Sequence, residues 1–445
     1  MTPIHITPYE TLDLAFHFDD HEQHNWWKQA APVLGELMLH SNYNISKQYQ
    51  YLTFFAHHII PLLGPSPNSS TTDHQHGMHP LEISQTFQES GITIRLMFEP
   101  KSYSGSGSTK DSFGGLVTQE VLARLGQVSG VELDPQLYYE LMSPLALTKK
   151  EEEDILNSGC YDNLPPPFKV QNLVGIQLSR SGEIAIKVDW LLAAKSMISK
   201  TPVSELTFQA IRKLDQGKGI FPGLRHIEEY FKAINLPPAS PSIFQPTDFG
   251  AMTCHLVDKA RTRLKIYTCI RLLRFEHVAD IWTLGGRLKD YPGIIRGLEI
   301  LHQLWAILPI TEGYHHPPFV NPLLMKDEDP DTSSAINKVA STVPQFFDDE
   351  LIFINFEIRP RDPCPQPKVY FTLSYLTDSR VVDAVVALFR KLGWEREASR
   401  YKENFKKYFP ASDLGRTPGF HQFLSFSYSD KTGPYTSVYY CRIGG

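Results

Sequence analysis

Three basic residues and a phenol alternate through Ala260-Arg261-Thr262-Arg263-Leu264-Lys265-Ile266-Tyr267. In an extended chain neighbouring side chains point to opposite faces, so Arg261, Arg263, Lys265 and Tyr267 share one face and Thr262, Leu264 and Ile266 the other. Stacked like charges repel. A solvated edge strand tolerates them through screening, whereas an anion bound among them offsets the repulsion directly. The pattern recurs. Arg95 shares a face with Met97, Lys187 with Asp189, Lys368 with Tyr370, and Tyr435 with Tyr439. Cations converging on one place suit a compact polyanion such as diphosphate, held by charge-assisted hydrogen bonds, with Arg able to bind bidentately. Phenol faces beside such a site suit a cation. The residue types therefore point to a ligand that is a diphosphate at one end and becomes a carbocation at the other.

These side chains can converge only if distant segments build one wall. Hairpins are predicted at 80–100, 168–190, a third ending in the basic stretch, 351–371 and 423–440. Helical periodicity precedes each: 21–38 and 43–63, then 118–127, 135–145 and an acidic start at 149, then 202–214 and 223–234, then 277–284 and 294–308, then 378–392 and 395–409. The chain thus reads as five helix-pair-plus-hairpin units with a period of roughly 70 to 105 residues, forming one domain over 1–445. Ten antiparallel strands with helices on one side tend to close on themselves, which removes unpaired edges. With helices covering the apolar faces, Arg95, Lys187, Arg263, Lys265 and Lys368 all point into the lumen. Glu82 and Ser84 share one face of the first predicted strand.

Composition narrows the alternatives. The 445 residues carry 43 Lys+Arg against 49 Asp+Glu, a net charge of -6. Without a global basic field, nucleic acid is not expected as a partner and any anion site is local. Cys160, Cys254, Cys269, Cys364 and Cys441 show no CxxC spacing, which points away from a zinc ribbon or disulfide framework and suits a reducing cytoplasm. No run of about 18 apolar residues occurs, so no membrane span is expected. His74, His76 and His79 lie beside Asp73 like a metal clip, but their spacing matches no helical or finger pattern. The Gly/Ser-rich stretch 102–108 lacks GxxxxGK[ST] and reads as a flap rather than a phosphate loop.

Pro80-Leu81-Glu82-Ile83-Ser84, Arg263-x-Lys265-x-Tyr267, Trp282-Thr283-Leu284-Gly285-Gly286, Lys368-Val369-Tyr370-Phe371 and Phe426-Ser427-Tyr428 resemble the fungal aromatic, or indole, prenyltransferases related to dimethylallyl tryptophan synthase. The resemblance extends from Trp26-Trp27 to Tyr440. It implies an α/β PT barrel (ABBA fold): ten antiparallel strands in a closed barrel ringed by helices, in five ααββ units. It implies transfer of a prenyl group from dimethylallyl or geranyl diphosphate to an aromatic acceptor of alkaloid or polyketide biosynthesis. No cofactor beyond the prenyl diphosphate co-substrate is implied, and no metal; Asp348-Asp349-Glu350-Leu351-Ile352 does not complete a DDxxD motif. The partners implied are an aromatic small molecule and the allylic diphosphate, with the enzyme a monomer or homodimer.

By the same resemblance, Arg95, Lys187, Arg263, Lys265 and Lys368 would hold the diphosphate and stabilise it as leaving group. Tyr267, Tyr370, Tyr428 and Tyr439 would shield the allylic cation. Glu82 would accept a hydrogen bond from the acceptor and help remove its proton. Leu81, Met97, Asp189 and Gly250 would line the acceptor pocket. Two departures stand out. Lys187-Val188-Asp189 replaces the usual Lys-x-Tyr, removing one shield tyrosine. Gly250 occupies the neighbourhood in which tryptophan-using relatives carry an arginine for the amino-acid carboxylate. Free tryptophan is therefore not the expected acceptor; a phenolic polyketide, a xanthone-like aromatic or a cyclic dipeptide is. A cyclase acting on a prenylated substrate, resting on Asp189, and a non-catalytic carrier, for which Glu82 would have no role, are the competing readings.

Overall fold

The computed structural model describes residues 6–66, 80–101, 111–159, 161, 169–234, 251–270, 272–314, 351–410, 412–415 and 419–443. Its strands are β1 (Leu81–Gln88), β2 (Gly91–Phe98), β3 (Val131–Glu132), β4 (Asn172–Leu178), β5 (Ile184–Leu191), β6 (Ala251–His255), β7 (Leu264–Ile270), β8 (Ile352–Ile358), β9 (Gln366–Thr372), β10 (His421–Ser429) and β11 (Gly433–Tyr440). Ten of these form an antiparallel run, β5-β4-β2-β1-β11-β10-β9-β8-β7-β6, and the pairing of β5 with β6 closes it into a ring. The expected PT barrel therefore forms. The short β3 lies beside the ring, parallel to β5, with Val131 opposite Ile184.

The helical layer is less regular than paired units predict. Its helices are α1 (Pro8–Ala15), α2 (His21–His40), α3 (Ile45–Phe54), α4 (Gly115–Leu125), α5 (Pro135–Leu145), α6 (Lys149–Asn157), α7 (Ala193–Ser199), α8 (Val203–Asp215), α9 (Leu224–Ala233), α10 (Phe275–Trp282), α11 (Pro292–Trp305), α12 (Asp378–Lys391) and α13 (Glu395–Tyr408). The short α1 escapes a periodicity reading because two turns carry little repeat. It forms because Thr7 and Glu10 complete a capping box and Pro8 occupies the first turn. Its Tyr9 ring then packs 5.7 Å from that of Trp27.

Strand alternation sets the polarity of the wall. In β5, Ile184, Ile186, Val188 and Trp190 are at most 1% exposed and face the helices, while Lys187 and Asp189 face inward. Repeated round the ring, this puts the main hydrophobic core between sheet and helices and leaves a separate cluster inside the ring, made of Cys269, Leu351, Phe353, Tyr370 and Phe423 with Tyr267 and Tyr439 packed against it. The outer layer fits closely at α11. A Cβ on Gly297 would lie 2.9 Å from Trp282 Cζ2 and 3.0 Å from Tyr428 Cβ, so only glycine lets α11 approach β10 this far. Trp282 stacks on Phe426 with ring centroids 6.2 Å apart and donates its indole N–H to the Ile294 carbonyl at 3.0 Å. Two of the sequence's most specific motifs thus serve to seat a helix on the wall.

The last hairpin is tied to α12 by a buried hydrogen bond between Asp378 and His421, whose imidazole burial holds below its ordinary value. Asp378 Oδ1 lies 2.6 Å from His421 Nδ1, and the same carboxylate accepts from the backbone N–H of Phe420. His421 Nε2 is 2.8 Å from Tyr401 OH, which is 3.1 Å from Tyr440 OH. Removing the carboxylate would leave three buried donors without an acceptor: the His421 ring N–H and the backbone N–H groups of Phe420 and His421. Asp378→Ala should therefore lower unfolding stability by about 1–3 kcal/mol, read as a shifted urea midpoint, whereas an unchanged midpoint would show that these bonds add nothing.

Candidate active site

A single inward-facing cavity gathers Glu82, Ser84, Arg95, Met97, Lys187, Asp189, His255, Lys265, Tyr267, Lys368, Tyr370 and Tyr439 from seven strands. Register explains the convergence: Lys187 lies opposite His255 across β5 and β6, Lys265 opposite Glu357 across β7 and β8, and Lys368 opposite Asn355 across β8 and β9. The sequence reading missed His255 and Glu357. The alternation of β8 puts Phe353, Asn355 and Glu357 on one parity and Ile352, Ile354, Phe356 and Ile358 on the other, but what Glu357 and His255 do there depends on the strands across from them.

The cations are held in place by neutral groups and two carboxylates, Glu357 beside Arg263 and Lys265 and Asp189 beside Lys187. Arg95 donates to Gln177 Oε1 at 3.1 and 3.2 Å, and also to Thr86 Oγ1. Lys368 donates to Ser437 Oγ at 3.2 Å and to Tyr439 OH at 3.4 Å, with its ammonium 4.6 Å from the Tyr435 ring centroid and 5.1 Å from that of Tyr370. Arg263 sits at the rim, its side chain 30% exposed, 3.0 Å from His255 Nδ1 and 3.9 Å from Glu357; Lys265 is 3.8 Å from the same Glu357 carboxylate. Arg261 does not join them. The turn at Asp258, which accepts from Ala260 N–H at 2.8 Å, delays β7 until Leu264, and Arg261 instead pairs with Glu132 outside the ring.

Burial makes this charge costly. Desolvation pulls Lys265 down to about 8 and, with Lys265 and Arg95 near it, Lys368 down to about 7. His255 falls well below its ordinary value through burial and the cations around it. Burial raises Glu82 to about 8. Against the pull of burial, Arg95, Lys368 and Lys265 drag the Tyr435 phenol down to about 7, and Arg263, Lys265 and Arg359 drag Glu357 down to about 2. Lys265, Lys368, Glu82 and Tyr435 are thus poised near neutrality, the lysines able to regain full positive charge and the acids to lose negative charge once an anion arrives.

Beside the cations the aromatics form a continuous lining. Ring centroids are 6.0 Å apart for Tyr267 and Tyr370 and 5.9 Å for Tyr370 and Tyr439. Phe353 stacks on Tyr370 at 5.4 Å, and Phe423 meets Phe353 edge-on at 5.3 Å. Asn355 donates to Tyr370 OH at 2.9 Å. Two expected members are placed elsewhere. Tyr428 faces the helices, against Gly297 and with Arg296 5.8 Å from its ring centroid, because Ser427 is the residue opposite Lys368 and a one-residue step reverses the face. Leu81, opposite Phe98 and 1% exposed, belongs to the outer core for the same reason. Gly250 and the His74, His76 and His79 cluster lie outside the described residues. Among the described residues no group of three or more His, Cys, Asp or Glu is placed to hold a metal ion, and no helix is long and apolar enough to cross a membrane.

Residues 22–404 match the family described as tryptophan dimethylallyltransferase. The chain belongs to that family of prenyltransferases. It is 58% identical to the prenyltransferase ucdE of Aspergillus ustus, covering 99% of this chain and 96% of that one, and 55% identical to the verruculogen prenyltransferase of Neosartorya fischeri, covering 98% and 96%. Its fold matches the crystal structure of AnaPT from Neosartorya fischeri with a TM-score of 0.81 at 25% identity, covering 99% of this chain and 98% of that one. The structure of NotF in complex with brevianamide F and DMSPP matches with a TM-score of 0.78 at 27% identity and 99% coverage of both.

An allylic diphosphate in this prenyltransferase would raise Lys265, Lys368, Tyr435 and Glu82 together, since negative charge favours the protonated form of each. Binding of dimethylallyl S-thiolodiphosphate near pH 8 should therefore take up about one proton or more, and affinity should fall as pH rises from about 7 to 9. Calorimetry in two buffers of different ionisation enthalpy reads the uptake; identical heats in both would contradict it.

Proposed function

We propose that the enzyme transfers a dimethylallyl or geranyl group from its diphosphate to an aromatic acceptor other than free tryptophan, without a metal ion. The observation that carries this reading is the shared cavity, in which Arg95, Lys187, Lys265 and Lys368 face the same space as Tyr267, Tyr370, Tyr439 and Glu82. The cations, with Arg263 at the rim, hold the diphosphate and stabilise the charge that grows on it as the allylic C–O bond breaks, the task a metal ion performs in other prenyl-diphosphate enzymes. The phenol faces stabilise the allylic cation and exclude water until the acceptor attacks. Glu82, with a pKa near 8, exchanges a proton readily with the acceptor's N–H or O–H.

Support for the acceptor class comes from the relatives. One is named for verruculogen, another for roquefortine, and NotF was crystallised with brevianamide F. None of the three compounds so named is free tryptophan. The wall at Asp189, where the usual tyrosine is absent, is compatible with a bulkier ring system than an amino acid.

Purified enzyme given dimethylallyl or geranyl diphosphate should release diphosphate only with an aromatic acceptor present, at a rate that EDTA leaves unchanged. Binding without release would favour a carrier, and loss of turnover in EDTA would overturn the metal-free reading. Lys265→Ala should slow transfer by about 10²-fold or more, because it removes a charge aimed at the leaving group. Faster turnover of tryptophan than of any phenol or cyclic dipeptide would sink the acceptor assignment.

A further inference from the structure

Two carboxylates face the cavity without a hydrogen-bond donor from the protein. Among the described residues Glu82 on β1 takes part in no hydrogen bond or ion pair, although it lines the cavity. Asp189 on β5 is 9% exposed, its Oδ1 is buried and accepts no hydrogen bond, and its nearest cation, Lys187 Nζ, stands 3.6 Å away. The groups that face Asp189 are Lys187 on its own strand, Glu82 from β1 and Tyr267 from β7. A carboxylate oxygen buried without a donor is costly, so a fold that keeps Asp189 in that state, with the half-buried Glu82 facing the same cavity, is shaped for donors that arrive with a ligand.

Lys187 is held beside Asp189 by an absence on the neighbouring strand. Gly175 lies opposite Lys187, and a Cβ there would come within 2.3 Å of Lys187 Cε and 2.6 Å of Cγ. The lysine stem lies flat over this glycine. Around the carboxylates the wall is apolar, with Met97, Leu173, Leu191 and Ala251 lining the same cavity. An aromatic ring would pack against these residues while its polar edge met the carboxylates.

We propose that Asp189 is a specificity-determining residue of the acceptor site: together with Glu82 it selects an acceptor carrying two N–H or O–H donors, one for each carboxylate. This rests on the prenyl-transfer reading for the identity of the ligand, and it gives the departure from Lys-x-Tyr a function. An acceptor with one donor blocked would leave a buried carboxylate unsatisfied, and a site built to hydrogen-bond a ligand rejects an analogue that lacks the group more strongly than an apolar pocket rejects a missing methylene.

The test uses dihydroxynaphthalenes and tryptophan-containing cyclic dipeptides, each compared with derivatives in which one O–H or N–H is methylated. Wild-type enzyme should prefer the unmethylated compound in kcat/KM by about tenfold or more at two positions. Asp189→Asn should reduce the preference to about twofold or less at one of them, with the KM for dimethylallyl diphosphate little changed, and Asp189→Glu should restore part of it. Retention of both preferences in Asp189→Asn, or a raised diphosphate KM with acceptor preference intact, would overturn the proposal. Retained binding of dimethylallyl S-thiolodiphosphate confirms that each variant is folded. If wild-type enzyme prenylates none of the panel, the prenyl-transfer reading fails by itself. Equilibrium binding of the same pairs then still decides Asp189, and indifference of the wild type to methylation refutes its role.

Discussion

Ammonium and guanidinium groups brought together in a space largely closed to water are unstable unless each finds compensation, and this constraint shapes the inside of the barrel. Compensation here is partial. Glu357 lies near Arg263, Lys265 and Arg359, Gln177 and Thr86 accept from Arg95, and Ser437 and Tyr439 accept from Lys368. What remains unmatched appears as two lysines and a tyrosine displaced toward neutrality. A polyanion completes the arrangement more fully than any side chain present.

The phenols belong to the same balance. A lining of hydrocarbon alone would deepen the desolvation of Lys368, whereas the rings of Tyr370, Tyr435 and Tyr439 present negative π faces to it within 4.6–5.9 Å. The same faces suit an electrophile lacking any hydrogen-bond capacity. One set of rings faces the resting ammonium, and in the proposed reaction the same faces would meet the allylic cation.

Much of this was legible in the sequence because strand parity is a strict code. Arg95, Lys187, Lys265, Lys368, Tyr267, Tyr370 and Tyr439 all project inward as alternation requires, and the ring closes as the count of hairpins requires. Parity fails where the chain is not extended or is counted one residue off. Arg261 was assigned to a strand that begins only at Leu264, and Tyr428 and Leu81 sit one step from the inward-facing Ser427 and Glu82. His255 and Glu357 were missed for another reason. A lone histidine or glutamate in an apolar strand carries no signal until the strand across from it is known, and their meaning comes from Lys187 and Lys265 opposite them. Asp189 was visible as a departure, but its lack of a hydrogen-bond donor is a property of three-dimensional surroundings alone.

The separation of the outer core from the small aromatic cluster within the ring bears on how such a protein can diversify. Most of the burial that keeps the chain folded lies between sheet and helices, where large rings such as Trp26, Trp190 and Trp282 are almost wholly enclosed. The interior contributes comparatively little to that cohesion. Selection can therefore exchange lumen residues, as a tyrosine for Asp189, at small risk to folding, and lineages sharing one scaffold can drift toward different small molecules while the scaffold itself stays fixed.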